Sequence, residues 1–424
     1  MKIRHLRWWI AGLLFMASVL NYVDRQTLSI LAPTIQADLQ LSDAAYGNIV
    51  SVFLAAYTLS YLVSGRIVDA LGARVGFALF LGGWSLANAL TGFARSAFSL
   101  GGCRFLLGLG EAGGYTASPK VVSEWFPAKD RGLAVGLYSV GGSVGATIAP
   151  LLVIGLATQF GWRSAFVVTG AFGLIFVGLW LLLYRSPENH PWLTDKERTL
   201  ILSDRTIPTA AATSEVKLSE SQRWKTILAN PAVWALMGAR LLTDPVWYFF
   251  QFWMPKYLHT VRGFDQSQLA SMWVIFLAAD IGFIGSGFAS GWLVRRGHKP
   301  RTARLYLMLI CAALVPAAPF IALASSNTGV FGLSMLVVLA HTAWLASIST
   351  YVVDLAPARL LGTAFGFIAM GSSLGGVVMT QAVVWTVSHF SYDYCFYAMV
   401  LLHPLAFALL WAFARRPWSV KPIL

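Results

Sequence analysis

Long apolar segments recur along the whole chain, and short polar segments separate them. Twelve of these segments have about the 20 residues that an α-helix needs to cross a bilayer. The pattern therefore predicts an all-α membrane protein with twelve transmembrane helices. The predicted spans are residues 7–31, 46–66, 75–95, 97–118, 132–156, 164–185, 231–258, 268–293, 305–324, 328–352, 362–389 and 393–415.

One polar stretch is much longer than the others and divides the spans into two sets of six. Charged and polar residues follow Arg185, and the segment from Thr209 to Glu220 is rich in Ala, Ser and Thr. We therefore predict an N-terminal six-helix bundle at 1–185, a cytoplasmic linker at 186–230 and a C-terminal six-helix bundle at 231–424.

The composition agrees with a membrane protein and changes how the net charge is interpreted. The chain is 57% hydrophobic and 12% charged, with a formal net charge of +13. Most of its lysines and arginines lie in segments on the same side as the N-terminus, which is typical of cytoplasmic loops. We therefore expect both termini and the linker in the cytoplasm, and no nucleic-acid partner. The cations on the opposite side are Arg95, Arg163, Lys256 and Arg262.

The N-terminus and the cysteines exclude two other interpretations. Lys2, Arg4 and Arg7 precede an apolar run as in a signal peptide, but the run continues without a cleavage site, which indicates a retained first span. The three cysteines lie in apolar segments without metal-like spacing, so we expect packing residues. No metal or cofactor is predicted. The cysteines are Cys103, Cys311 and Cys395.

The fourth span contains a cation and a carboxylate seven residues apart, Arg104 and Glu111. At 3.6 residues per turn both side chains leave the same helix face. A charge at the centre of a bilayer costs roughly 2.5–3.5 kcal/mol on insertion scales, so such residues are candidates for a functional site. The alternative is a structural salt bridge to a neighbouring helix.

An internal repeat relates the two predicted halves. The segment 127–136 resembles 357–366, and the match continues at Gly141, Ser143 and Gly145 against Gly371, Ser373 and Gly375, always 230 residues apart. Both copies begin on the inner side, so the repeat is parallel. Parallel halves are one design of secondary transporters, which bind their substrate near the midplane.

The loop after the second span, Gly65 to Arg74, resembles the signature loop of the major facilitator superfamily. The resemblance implies that fold, with twelve transmembrane helices in two six-helix halves. Gly65 and Gly72 permit a tight inner turn, followed by Arg74. Asp69 is expected to cap a helix or pair with a cation of the other half. In the second copy Arg295 stands where this Asp would be.

Four further segments resemble the anion:cation symporter family, in particular its bacterial carriers of hexuronates, galactonate and glucarate. This resemblance implies proton-coupled import of a sugar acid across the inner membrane. Tyr22, Arg25, Tyr57 and Arg104 match the family's substrate positions, and Asp24 and Glu111 match its proton-carrying acids. The segments are residues 21–25, 104–111, 123–131 and 240–247.

The side chains fit this chemistry, with alternatives at each position. Arg stays charged and grips a carboxylate with two parallel hydrogen bonds, which suits Arg25, Arg104 and Arg240. Each can instead neutralise a nearby acid, as Asp244 can for Arg240, four residues before it. A proton carrier needs an acid whose surroundings change. Glu111 is the first candidate and Asp24 the second, and Asp24 can instead hold Arg25 or Asn21.

Aromatic and second-half residues are weaker candidates. Tyr22 and Tyr57 can hydrogen-bond hydroxyls. Asp280 is a possible lining residue, while His341 is more readily explained as a core histidine. Ring-stacking candidates, each equally explained by packing, are Trp247, Trp253 and Trp344.

The function predicted from the sequence is a monomeric, proton-coupled symporter for a small organic anion. The main alternative is an organophosphate:phosphate antiporter, which would clamp phosphate with Arg25 and Arg240. A drug/proton exporter would favour an apolar cavity over fixed cations. No metal-ligand cluster or nucleophile constellation suggests an enzyme.

Overall fold

The computed structural model describes residues 2–205, 219–264, 268–414 and Trp418. Within these ranges the chain is almost entirely helical. Residues 206–218 of the predicted linker lie outside the described residues, as do nearly all of the C-terminal residues after 414 that were expected in the cytoplasm.

The first of two compact units comprises Met1–Pro127, Leu137–Ile207 and Ala358–Gly366. Its helices follow one another with short connections, and α5 contributes all but its first turns. The helices are α1 Leu6–Ile30, α2 Ala32–Leu39, α3 Asp43–Thr91, α4 Ala97–Trp125, α5 Ala128–Phe160, α6 Trp162–Leu183 and α7 Asp195–Arg205.

The second unit comprises Ala128–Gly136, Pro208–Pro357 and Phe367–Leu424. The start of α15 belongs to the first unit and the rest of that helix to the second. The helices are α8 Glu220–Leu228, α9 Pro231–Tyr248, α10 Met254–Thr260, α11 Trp273–Arg295, α12 Pro300–Leu314, α13 Pro319–Leu323, α14 Asn327–Leu355, α15 Leu361–His389 and α16 Asp393–Leu409.

Nine helical stretches of the described residues are long and apolar enough to span a membrane. Three local features reconcile this number with twelve spans. The helix α3 holds two spans, because Gly72 (φ 76°) breaks it. Charged Arg104 and Glu111 and many glycines make α4 less apolar. A π-helical turn, Phe249–Trp253, separates α9 from α10. The architecture is therefore the predicted twelve-helix membrane fold.

The internal repeat has a structural counterpart. The helices α4 and α14 are both 29 residues long, and α14 begins and ends 230 positions after α4. A Cβ atom added at Gly141 would meet the carbonyl oxygen of Phe15, and one at Gly371 would meet that of Met237. The helix α5 therefore packs on α1 as α15 packs on α9, through glycines that let the backbones approach.

Glycines in α4 also fix how that helix lies on α3. A Cβ at Gly108 would lie 2.5 Å from the carbonyl oxygen of Phe53, and one at Gly110 would lie 2.6 Å from the backbone nitrogen of Trp84. Both glycines lie between Arg104 and Glu111, so this close approach positions the two charged side chains.

We predict that Gly110→Ala lowers the free energy of unfolding by about 1–3 kcal/mol, because backbone atoms that cannot easily move oppose the added methyl group. Gly102→Ala is the matched control in the same helix, with open space around the new Cβ. It should be neutral or stabilising by up to about 1 kcal/mol, since Ala favours helix. Chemical unfolding in detergent measures the free energy of unfolding of each variant. Equal changes in Gly110→Ala and Gly102→Ala would contradict the close packing at Gly110.

Candidate substrate and proton site

An ion pair between α1 and α4 forms the centre of the candidate site in the first unit. The Nε and Nη2 atoms of Arg25 donate to the same oxygen of Glu111, Oε2, at 2.8 and 2.6 Å. Glu111 is buried, and within the described residues its other oxygen, Oε1, has no hydrogen-bond partner. The Arg25 side chain is 31% exposed. The carboxylate is thus enclosed while the guanidinium remains partly accessible.

Aromatic rings surround the guanidinium of Arg25. Its central carbon lies 5.1 Å from the ring centre of Tyr22, 5.0 Å from that of Tyr57 and 5.7 Å from that of Phe53. Tyr61 donates a hydrogen bond from its hydroxyl to that of Tyr57 at 3.2 Å. The predicted residues Tyr22, Arg25 and Tyr57 therefore lie together, as a cation enclosed by rings.

Asp24 lies in a separate polar network on the same helix. Asn88 donates from Nδ2 to Asp24 Oδ1 at 2.6 Å and to the hydroxyl of Thr169 at 2.8 Å. Asp24 is fully buried, and its Oδ2 has no hydrogen-bond partner among the residues described. Asn88 was missed in the sequence, where a lone Asn in an apolar span carries no distinguishing pattern.

Arg104 is a buried guanidinium whose donors are largely unused. Its central carbon lies 5.2 Å from the ring centre of Phe166. Its Nε and Nη2 atoms are buried without a hydrogen-bond partner in the part of the chain that the structure describes. The charges of Glu111 and Asp24 both act on it. An unsatisfied buried donor costs roughly 1–3 kcal/mol, so an anion placed here would recover that energy.

Four buried or partly buried charged residues of α1 and α4 form one balanced group. Arg25 and Arg104 carry two positive charges, and Asp24 and Glu111 carry two negative charges when ionised. A proton on either acid leaves the group with one excess positive charge. An arrangement of this kind can bind an anion and a proton in a mutually dependent way.

In the second unit Arg240 pairs with an acid on its own helix. Its Nη2 and Nε atoms donate to Asp244 Oδ2 at 2.7 and 3.0 Å, and both side chains are buried. This is the alternative that the four-residue spacing suggested. Asp280 is half-buried on α11.

The tryptophans considered for ring stacking have different surroundings. Trp344 is buried against His403, with ring centres 5.2 Å apart. Trp247 stacks on His341 at 6.4 Å. Trp253 lies beside Lys256.

Asp69 of the signature loop caps a helix and binds a cation. It accepts hydrogen bonds from the backbone nitrogens of Gly362 and Thr363, at 3.0 and 2.8 Å, and from the Thr363 hydroxyl. Lys120 donates to it at 2.9 Å. A Cβ at Gly65 would collide with the carbonyl of Gly362, which explains this glycine.

The rest of the loop packs locally. Gly72 adopts a left-handed backbone. The Nη2 atom of Arg74 donates to the carbonyl of Leu181 at 2.5 Å, and the Arg74 carbonyl accepts from the Trp180 indole.

The second copy of the loop lacks an acid at the position of Asp69, and the second unit contains a buried acid elsewhere that the sequence analysis did not identify. Arg295, at the position equivalent to Asp69, is exposed. Asp354, at the end of α14, instead accepts from Arg131 at 2.8 Å and lies 3.4 Å from Nε of Arg304. Asp354 therefore links α14 to α5 and α12 within the second unit.

Each unit of this multi-pass membrane protein encloses a buried ion pair, and the proteins that it resembles are membrane transporters, not enzymes. The chain belongs to the Major Facilitator Superfamily, whose family model matches residues 14–380. Two solved structures share the fold. One is the proton:xylose symporter XylE, with a TM-score of 0.70 and 15% identity over 96% of this chain and 95% of that one. The other is the human organic anion transporter MFSD10, with a TM-score of 0.71 and 18% identity over 95% of this chain and 99% of that one.

Curated relatives are sugar-acid transporters. The hexuronate transporter of Escherichia coli K12 is 36% identical over 68% of this chain, and the alignment spans 66% of that relative, just under two thirds of its length. The galacturonate transporter of Dickeya chrysanthemi is also 36% identical, over 68% of this chain and 82% of its own. The D-galactonate transporter of Escherichia coli O6:H1 is 28% identical over 88% and 87%.

We predict that Arg25→Met lowers the free energy of unfolding by about 3–5 kcal/mol, because it strands a buried carboxylate. The double variant with Glu111→Leu should recover most of this loss. Chemical unfolding in detergent measures each. Lys2→Met is the control, since its pair with Asp195 is exposed and worth about 0–1 kcal/mol. A double variant as unstable as the sum of its two single variants would contradict a direct pair.

Proposed function

We propose that this protein is a proton-coupled symporter that imports a hexuronate or related sugar acid by alternating access. We place it in the inner membrane as a monomer with cytoplasmic termini. The observation that carries the proposal is the group of two guanidiniums and two carboxylates in the first unit. The sugar-acid transport named for the curated relatives supports this substrate class over an organophosphate.

Arg25 and Arg104 are the proposed ligands of the substrate carboxylate. Glu111 uses two of the five N–H donors of Arg25, and the Arg25 side chain is partly accessible. Tyr22 and Tyr57 flank the same guanidinium, so their hydroxyls suit the polyol part of a sugar acid. Arg240 and Trp344 are proposed to contribute from the second unit.

Glu111 is the proposed link between the proton and the anion. In the ionised state it occupies Arg25, the same group that a substrate carboxylate would bind. A proton on Glu111 weakens that pair and frees donors of Arg25. The anion and the proton therefore favour one another's binding, by an equal factor in both directions. The proposed order is protonation from outside, anion binding, closure and release inside.

Asp24 is the proposed second acid. Asn88 holds one of its oxygens, and the other is buried beside the charge of Arg104. A proton on Asp24 would leave the positive charge of Arg104 less balanced and so favour an anion. Asp69, Gly65, Gly72 and Arg74 are proposed to stabilise one conformational state.

We expect Glu111→Gln in proteoliposomes to lose accumulation driven by a pH gradient, so that the internal to external ratio falls to about one. Exchange of internal for external sugar acid should persist, because Gln resembles the protonated acid and leaves Arg25 free. The measurement is uptake of labelled galacturonate with and without a pH gradient.

Asp195→Asn is the control for this experiment, since Asp195 is an exposed acid on α7. Full accumulation by Glu111→Gln would exclude Glu111 as the proton carrier. Exchange of preloaded phosphate without a pH gradient would instead indicate an organophosphate:phosphate antiporter.

The substrate class has a separate test. Because a ligand that binds only the folded state raises apparent stability, glucuronate, galacturonate, galactonate or glucarate should raise the unfolding temperature of the purified protein. At a ligand concentration of 100 times Kd the free energy of unfolding should increase by about 2.7 kcal/mol. Arg25→Gln should abolish the shift, and neutral glucose should give none. A shift that survives in Arg25→Gln would exclude Arg25 as a ligand.

A further inference from the structure

The helix equivalent to α4 in the second unit carries a titratable residue at the position of Glu111. Because α14 begins and ends 230 residues after α4, the equivalent of Glu111 is His341. Each of these residues is buried at the middle of its helix and contacts an ionisable side chain from another helix of its own unit. For Glu111 that partner is Arg25, and for His341 it is His403 on α16.

The two histidines form a direct, fully enclosed pair. His341 Nδ1 lies 3.1 Å from His403 Nε2, and both side chains have no exposed surface. The face of the His341 ring stacks on Trp247, and the His403 ring meets Trp344 edge-on. The pair therefore has a fixed geometry inside an aromatic enclosure.

Hydrogen-bond counting shows that this pair can take one more proton. Two neutral imidazoles carry two N–H groups on four nitrogens. One N–H lies in the contact between the rings, which leaves one donor and one bare nitrogen at the outer positions. These outer atoms, His341 Nε2 and His403 Nδ1, are buried and have no hydrogen-bond partner within the described residues. The bare nitrogen has a lone pair available for a proton.

A third buried nitrogen lies beside the pair. The indole nitrogen of Trp344 also has no partner in the described ranges. Buried polar groups are nearly always satisfied by protein or by ordered water. The three nitrogens in these contacting rings are therefore positions to which a water molecule or a proton could bind.

One charged group acts on the pair, and other titratable groups lie on the helices that pack against α14. Arg240 on α9 exerts its charge on His341, and Asp244 binds that guanidinium. Asp280 lies on α11, next to Ala279, whose carbonyl accepts a hydrogen bond from Thr342. The helix α12 contributes the buried Cys311.

We propose that His341 and His403 form a second proton-binding site, which takes up one proton per transport cycle in addition to any carried by Asp24 and Glu111. This inference rests on the proposed symport. The proton adds to the bare outer nitrogen and leaves from the pair on the cytoplasmic side, with no other bond made or broken. Its positive charge is opposed by Arg240, so an anion beside Arg240 favours it.

The experiment measures the number of protons carried per anion in proteoliposomes. At zero membrane potential, the logarithm of the accumulation ratio rises with the pH difference, and the slope is the number of protons per anion. In His341→Gln and in His403→Gln the slope should fall by about one proton per anion, since Gln keeps hydrogen bonds but does not titrate in this range. The exposed His389→Gln is the matched control.

The outcomes separate this inference from the proposed symport. If the wild-type slope is above zero and both variants have the same slope as the wild type, the histidine site is refuted and the symport is not. A wild-type slope of zero refutes the symport itself. Unfolding temperatures of the variants show whether they fold, and a purely structural role would change stability without changing the slope.

If a variant does not fold, or if the wild-type slope is zero, a measurement on the full-length wild-type protein tests directly whether the histidine pair takes up a proton. Nitrogen-15 NMR of histidine-labelled protein, with saturating galacturonate, distinguishes bare from protonated imidazole nitrogens. We expect one of the two outer nitrogens to become protonated between about pH 8 and 5. Two imidazoles that stay neutral throughout that range would overturn the proposal.

Discussion

The fold must keep charged side chains inside a structure built to exclude water, and the Arg25–Glu111 pair is the clearest result of that constraint. A single charge in this environment is costly, whereas an enclosed pair with well-formed hydrogen bonds is tolerated. The glycines of α4 bring that helix close to α3, which places Glu111 within reach of α1. Formation of the ion pair therefore depends on the packing of α4 as well as on the two charged residues.

The same constraint is the basis of the transport role that we propose for the pair. The stability of the pair depends on both partners being charged and in contact. A proton on Glu111 would remove one of the two charges, and a substrate carboxylate would compete for Arg25. Arg104 shows the complementary situation, since it is a buried cation whose donors lack partners within the described residues. In the proposed mechanism a proton alters the charge balance of this group and an anion restores it.

Much of the fold could be predicted from the sequence, because span length, apolar composition and the 230-residue repeat are properties of the chain itself. The Arg240–Asp244 pair could be foreseen for the same reason, as its partners lie one helical turn apart. The seven-residue spacing within α4 directed attention to Arg104 as the neighbour of Glu111. The hydrogen-bonding partner is Arg25, 86 residues earlier, which only the packing of α1 on α4 reveals.

Other contacts had no local signal at all. Asn88 reaches Asp24 across 64 positions, and His341 reaches His403 across 62. The contacts of Asp354 were also hidden, because its partners Arg131 and Arg304 lie on other helices, far away in the sequence. Contacts between helices depend on how each helix is rotated about its axis and how far it is shifted along the membrane normal. The hydrophobic periodicity of a single sequence does not determine either.

The central claim is that an anion and a proton bind to this protein cooperatively. The most direct measurement is proton uptake when galacturonate is added to purified protein in weakly buffered detergent solution. We predict net uptake of protons from the solution on anion binding. Binding of the anion with no proton exchange, or with net proton release, would contradict it.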